Sequence, residues 1–156
     1  MDNINIENIE NIVKKVMAEM NVQKSEHEYP LSENAADILK TKTGKSFNDI
    51  TFEGVITGEI THEDFKTDPK TLLMQADIAE KSGKPQFAEN LRRAAELTNV
   101  PDDEVLRIYD KLRPNRATKQ ELIEISQNLR EKYNAYKTAD FVMETAEIYE
   151  KRNILI

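Results

Sequence analysis

No cysteine and no tryptophan occur among the 156 residues, and glycine and proline number only four and five. Without cysteine the chain has no disulfides, no thiolate metal ligands and no thiol nucleophile, which suits an intracellular protein. The scarcity of glycine and proline disfavours a turn-dense all-β fold. Long apolar runs are also lacking, so neither a membrane-spanning helix nor a secretory signal is expected. The composition therefore indicates a soluble cytoplasmic protein without a membrane partner.

Positive charge is in short supply, because 22 Lys and Arg face 29 Asp and Glu and give a formal net charge of −7. Such a chain repels nucleic-acid phosphates, and no large basic patch offsets the repulsion, so no nucleic-acid partner is expected. Hydrophobic residues make up 38% and charged residues 33%, against about 45–50% and about 25% in an average domain. We therefore expect a thin core that is completed by burial against another molecule.

Helical signals dominate from Asp68 onward. Five helices are predicted, and their ends are marked by Pro69, Gly83, Pro85 and the Thr118-x-x-Glu121 capping box; the last helix runs from Ala135 to about Arg152. Phe87, Leu91, Val105, Ile108, Tyr109, Leu122, Ile125 and Leu129 are among the residues predicted to face inward. Short connections favour antiparallel or oblique neighbours, so the prediction is an all-α fold, a small helical bundle.

The N-terminal part is less regular. Residues 35–65 predict short helices around 49–56 and 61–65, with a short strand pair as the alternative. Residues 4–20 carry an apolar stripe typical of an amphipathic helix. Its members are Ile6, Ile9, Val13, Val16, Met17 and Met20. We divide the chain into this helix (1–20), a flexible linker (21–34) and a helical domain (35–156).

Candidate catalytic groups are isolated in the sequence. Thr43-Gly44-Lys45-Ser46 resembles the end of a phosphate-binding loop, but Leu39 stands where that motif needs glycine. His27 and His62 have no second histidine at a ligand spacing, and the acidic clusters lie where solvated helix charges are usual. The sequence thus predicts no catalytic, metal-binding or cofactor-binding residue on this chain.

Arginines and aromatics are the side chains that most often anchor protein interfaces. The arginines occur in two close pairs, and for Arg92 and Arg93 local pairing with Glu89 and Glu96 is an equal alternative. We predict six partner contacts: Arg92, Arg93, Tyr109, Arg113, Arg116 and Phe141.

Motifs spread over residues 29–150 resemble the small (gamma) subunit of adenosylcobalamin-dependent diol and glycerol dehydratases. They are Tyr29-Pro30-Leu31, Thr43-Gly44-Lys45, Asp49-Ile50-Thr51, Gln75-Ala76-Asp77-Ile78-Ala79, Arg92-Arg93-Ala94-Ala95-Glu96-Leu97, Pro101-Asp102-Asp103, Tyr109-Asp110-Lys111-Leu112-Arg113-Pro114-Asn115-Arg116 and Phe141-Val142-Met143-Glu144-Thr145-Ala146. Asn115 departs from the pattern, since the resemblance implies an aromatic residue there in many relatives, which puts the packing of that turn in question.

The resemblance implies a subunit of a lyase that converts propane-1,2-diol or glycerol to an aldehyde and water. It implies large (alpha) and medium (beta) partner subunits in a dimer of heterotrimers, with adenosylcobalamin bound by those subunits and radical chemistry carried by the cofactor. The small subunit is then non-catalytic and contributes to assembly. The alternative from another class is a stand-alone helical adaptor without an enzyme partner.

The N-terminal stripe also resembles the short targeting helices of enzymes packed inside bacterial microcompartments. Residues 1–20 are then expected to dock on a shell protein, which places the enzyme inside the compartment. The alternatives are that the stripe packs on the chain's own bundle or frays.

Overall fold

A computed structural model describes residues 27–156, and its regular structure is helical. In chain order the elements are α1 (Leu31–Asn34), a 3₁₀ turn (Phe47–Asp49), α2 (Phe52–Thr57), a second 3₁₀ turn (His62–Phe65), α3 (Pro69–Lys81), α4 (Pro85–Leu97), α5 (Asp102–Lys111), α6 (Lys119–Tyr133) and α7 (Tyr136–Lys151). No strand forms in this range, where the alternative of a strand pair is reduced to one bridge between Lys40 and Ser46. The predicted all-α fold is confirmed.

The ends of the long helices follow from local sequence, as predicted. Pro69 and Pro85 each occupy the first helical turn, where a missing N–H costs nothing. Gly83 follows α3 with a φ of +74°, a left-handed conformation that glycine adopts without strain. Thr118 and Glu121 form a complete capping box at the start of α6.

The helices pack mainly as two hairpins. Asn134, with a φ of 54°, ends α6, and α7 begins two residues later. Lys119 at the start of α6 pairs with Glu150 near the end of α7 at 2.7 Å, while Arg130 near the end of α6 pairs with Asp140. These pairs show that α6 and α7 run antiparallel. In the other hairpin α3 packs on α4, and α4 also contacts α7.

Two clusters of buried side chains hold the described chain together. The larger one lies between α5, α6 and α7, and its members are Val100, Ile108, Ala117, Leu122, Ile125, Leu129, Ala135, Ala139, Val142 and Ala146. The smaller one lies between α3 and α4, where Ala76, Ala79 and Ala88 let the backbones approach and Leu91 packs against them. Both clusters lie within residues 76–146, so residues 27–65 contribute to neither.

Some of the residues predicted to face inward are exposed. Phe87 is 54% exposed and Tyr109 is 70% exposed. In each case the adjacent residue, Ala88 or Ile108, is the buried one. Successive residues on a helix point about 100° apart, so an aromatic beside the centre of the contact stripe falls at its edge.

The C-terminal residues close the bundle against the turn after α5. Asn115 N donates to Ile154 O at 2.9 Å, and Ile156 N donates to Ala117 O at 3.0 Å. Asn115 has a φ of 57°, which asparagine tolerates better than most residues. This gives the departure from the expected aromatic a local backbone reason. Within residues 27–156, no helix has the length and apolar character needed to cross a membrane.

Candidate functional site

Arg92 is committed to contacts within the chain. Its guanidinium donates to Glu89 at 2.7 Å on the same helix and to Glu80 and Asp77 on α3, the latter at 3.4 Å. The side chain is only 18% exposed. The hydrogen bonds that Arg92 donates, first to Glu80 and then to Glu89, raise the pKa of Arg92 above its ordinary value. Arg92 therefore ties α3 to α4. Of the two local acids that the sequence offered, Glu89 pairs with Arg92, whereas Glu96 accepts from Lys137 and Thr138 on α7.

Arg93 and Phe141, two of the predicted contact residues, are brought together. The Arg93 guanidinium lies over the Phe141 ring at 4.9 Å from its centroid, a cation–π geometry. Arg93 also donates to the Asn90 side chain. Phe141 remains 43% exposed. The pair links α4 to α7 and still presents an aromatic surface to the outside.

Glu96 has a role that sequence reasoning missed. Its Oε1 accepts from Lys137 N at 2.9 Å, and its Oε2 accepts from Thr138 N and Thr138 Oγ1, each at 2.8 Å. These donors lie in the first turn of α7, whose own N-cap residue, Ala135, has no side chain able to accept them. The absence of a capping residue at position 135 is the one sequence signal that a distant acceptor is needed.

Tyr109, Arg113 and Arg116 face away from the described core. Tyr109 is 70% exposed. The Arg113 side chain is 56% exposed, and among residues 27–156 its one ion pair is a long surface contact with Asp110 at 3.6 Å. Arg116 is exposed. Exposed pairs of this kind contribute little to stability. These side chains are therefore available to a partner.

The loop with the Thr-Gly-Lys-Ser sequence makes hydrogen bonds within the chain, to Asp64. Thr43 Oγ1 and Lys45 Nζ bind the two carboxylate oxygens of Asp64 at 2.5 Å and 3.0 Å. Asp64, only 4% exposed, also accepts from Thr61 N at 2.7 Å in a capping box. The hydrogen bond from Thr43, followed by those from Thr61 and Lys45, holds the pKa of Asp64 well below its usual range. The motif thus fastens the loop at 41–45 to the turn at 61–65.

A groove of about 670 Å³ is open and polar. Lys42, His62, Lys66 and Asp102 line it, and Lys42 Nζ donates to Thr98 O across it at 2.7 Å. Within residues 27–156, no three His, Asp or Glu side chains converge as a metal site would require. In the same range the candidate residues form interhelical contacts and exposed surface, an arrangement suited to binding a protein.

Comparison with known proteins agrees with this arrangement. A family model described as the dehydratase small subunit matches residues 24–156, and the chain belongs to that family. Two relatives, each named propanediol dehydratase small subunit, are similar to this chain over nearly its whole length. The protein from Citrobacter freundii is 38% identical over 97% of this chain and 98% of its own length. The protein from Salmonella typhimurium strain LT2 is 37% identical over 97% and 98%.

Proposed function

We propose that this chain is the non-catalytic small subunit of an adenosylcobalamin-dependent diol or glycerol dehydratase, in which it supports assembly of the holoenzyme. The observation that carries the proposal is the similarity to two propanediol dehydratase small subunits over 97% of the chain. The reaction converts a vicinal diol to an aldehyde and water. Its cofactor, bound by the larger subunits, supplies the radical chemistry.

The partners in this proposal are a large and a medium subunit, in a dimer of heterotrimers. Tyr109, Arg113, Arg116 and Phe141 contact them, which is supported by the exposure of Tyr109 and Phe141. Arginines and aromatics supply much of the binding energy at protein interfaces. Arg92 and Arg93 belong to the same surface, and their contacts with α3 and α7 fix its shape.

Residues 1–20, which lie outside the described residues, are assigned by the same proposal to targeting into a bacterial microcompartment. The support is the apolar stripe from Ile6 to Met20, which suits docking in a groove on a shell protein. Deleting residues 1–20 is expected to leave the dehydratase assembled and to release it from isolated compartments. A truncated chain that no longer assembles with its partners contradicts the targeting role.

The decisive experiment is co-expression of the tagged chain with candidate large and medium subunits. Size-exclusion chromatography is followed by an aldehyde-formation assay with and without adenosylcobalamin. The expected result is a three-component complex whose activity requires this chain. If the chain elutes alone and the other two subunits are fully active without it, the subunit role is excluded and the stand-alone adaptor replaces it.

A further inference from the structure

The apolar side of α2 is largely uncovered within the described chain. Phe52 is 81% exposed, Ile56 70% and Val55 42%. Their spacing of three and four residues places them on one side of the helix. Few positions in a globular protein expose three neighbouring large apolar side chains, and such patches mark interaction sites more often than isolated exposed residues do. We refer to Phe52, Val55 and Ile56 as the α2 face.

The other side of α2 is anchored, so the face is preformed. Gly54 is buried against Ile60, and a Cβ at position 54 would lie 2.7 Å from Ile60 Cγ1. Ile60 N donates to Gly54 O at 2.9 Å, and Thr51 Oγ1 caps the helix through Gly54 N at 3.1 Å. A six-residue helix is not stable alone. These anchors hold it in place while its apolar side points outward.

The charge around the α2 face has one sign. Residues 46–65 contain five acidic residues and no Lys or Arg. Asp64 and Glu63 pair with Lys45 and Lys66. Within residues 27–156, the carboxylates of Asp49, Glu53 and Glu59 form no ion pair. A symmetric contact between two copies would bring these acidic rims together, and like charges at an interface oppose association. The complementary partner has an apolar recess rimmed by Lys or Arg.

We propose that the α2 face docks into such a recess on a larger subunit of the dehydratase. This inference rests on the proposed function and deepens it, because it adds an anchor point on the irregular segment, residues 27–65. That point is distinct from the surface of Tyr109, Arg113, Arg116 and Phe141. The apolar side chains supply the buried centre of the contact, and Glu53 and Glu59 supply its charged rim.

The test uses the co-expressed complex and a double variant, Phe52→Glu with Ile56→Glu. The matched control is Leu73→Glu with Phe87→Glu, which adds the same charge at one aliphatic and one aromatic residue on α3 and α4, 46% and 54% exposed. We expect the first variant to weaken binding of the larger subunits at least about tenfold, and the control to change it less than about threefold. Glu53→Lys with Glu59→Lys is expected to slow association at low salt.

The outcomes separate this proposal from the subunit role. If the wild-type chain binds the larger subunits and the α2 variant binds them equally well, the docking site is wrong and the subunit role stands. If the wild-type chain does not bind them, both fail. Two measurements on the isolated chain identify other occupants: a dimer that the variant dissociates assigns the face to a second copy, and a fall in Tm assigns it to a segment of the same chain. Either result overturns the proposal.

Discussion

The Glu96 carboxylate on α4 caps the N-terminus of α7, whose own N-cap residue, Ala135, provides no side-chain cap. It accepts from two backbone N–H groups and one hydroxyl in the first turn of a helix 41 and 42 residues away. Negative charge at this position also complements the positive end of the helix dipole. One side chain therefore caps α7 and also links α4 to it.

Removal of this cap is expected to destabilise the isolated chain. Glu96→Ala leaves the first-turn donors of α7 without their acceptor, and loss of an N-cap acceptor costs about 1–2 kcal/mol. Urea denaturation followed by circular dichroism measures the change. The control is Glu147→Ala, an exposed position on α7, where we expect a change below about 0.5 kcal/mol. Equal effects at the two positions contradict the capping role.

The Glu121 carboxylate makes stability depend on pH. Its Oε1 accepts from Lys111 Nζ at 2.5 Å and its Oε2 from Thr118 N at 2.8 Å. The Lys111 hydrogen bond, followed by the one from Thr118 N, lowers the pKa of Glu121 from 4.5 to about 2. Because the pKa is lower in the folded state, its contribution is present above pH 4.5 and is lost as the pH falls towards 2.

We therefore expect Glu121→Gln to lower Tm near neutral pH and to have progressively less effect in acid. Thermal unfolding of both proteins from about pH 6 to about pH 2 tests this, with Glu144→Gln at an exposed position of α7 as the control. A wild-type-to-variant difference that stays constant over that interval excludes the ionised carboxylate as its source.

At the scale of elements, prediction succeeds where the determinants are local. Pro69, Pro85 and the Thr118–Glu121 box lie at the helix ends they mark, because capping and proline effects act within one turn. The irregular segment, residues 27–65, is held by contacts between residues distant in sequence, such as that of Lys45 with Asp64, 19 residues apart. No periodicity encodes such contacts, so the sequence predicted short helices here but not how they are fastened.

Inward and outward faces were predictable only to within one residue along a helix. The α6 stripe of Leu122, Ile125 and Leu129 is fully buried as predicted. On α4 and α5 the helical spacing predicts Phe87 and Tyr109 to face inward, whereas the adjacent Ala88 and Ile108 are the buried residues. The position of the partner element, which the sequence does not specify, decides which of two adjacent residues is buried.

A substitution at Leu129 tests whether the larger buried cluster, around the α6–α7 hairpin, contributes most to the stability of the fold. It is 1% exposed within the larger buried cluster. Leu129→Ala leaves a cavity and is expected to cost about 2–5 kcal/mol in the free energy of unfolding. Leu106→Ala, at a leucine that is 69% exposed, is expected to change it by less than about 0.5 kcal/mol. Denaturant titrations measure both, and a small loss at Leu129 would place the main core elsewhere.

At the scale of the whole molecule, the described chain leaves many large apolar side chains exposed outside its two buried clusters. Half of its 14 exposed large hydrophobic residues lie between Tyr29 and Phe65, the part that contributes to neither buried cluster. The composition predicted this thin core, since 38% hydrophobic residues leave little to bury. It did not predict where the uncovered surface lies, because that depends on which elements pack first on one another.

A chain built to be covered is expected to gain stability from its partners. Ligands that bind only the folded state raise the free energy of unfolding by mass action, by about 2.7 kcal/mol when the free partner is at 100 times its Kd. Tm of the chain is therefore expected to rise with the concentration of the larger subunits, measured with a fluorophore attached to this chain alone. An unrelated acidic protein at equal concentration serves as the control.

Binding of the larger subunits is also expected to protect the irregular segment, residues 27–65, from local unfolding. Amide exchange within residues 47–60 is therefore expected to slow more than exchange within α6. Equal slowing of exchange in both segments contradicts a contact centred on the irregular segment.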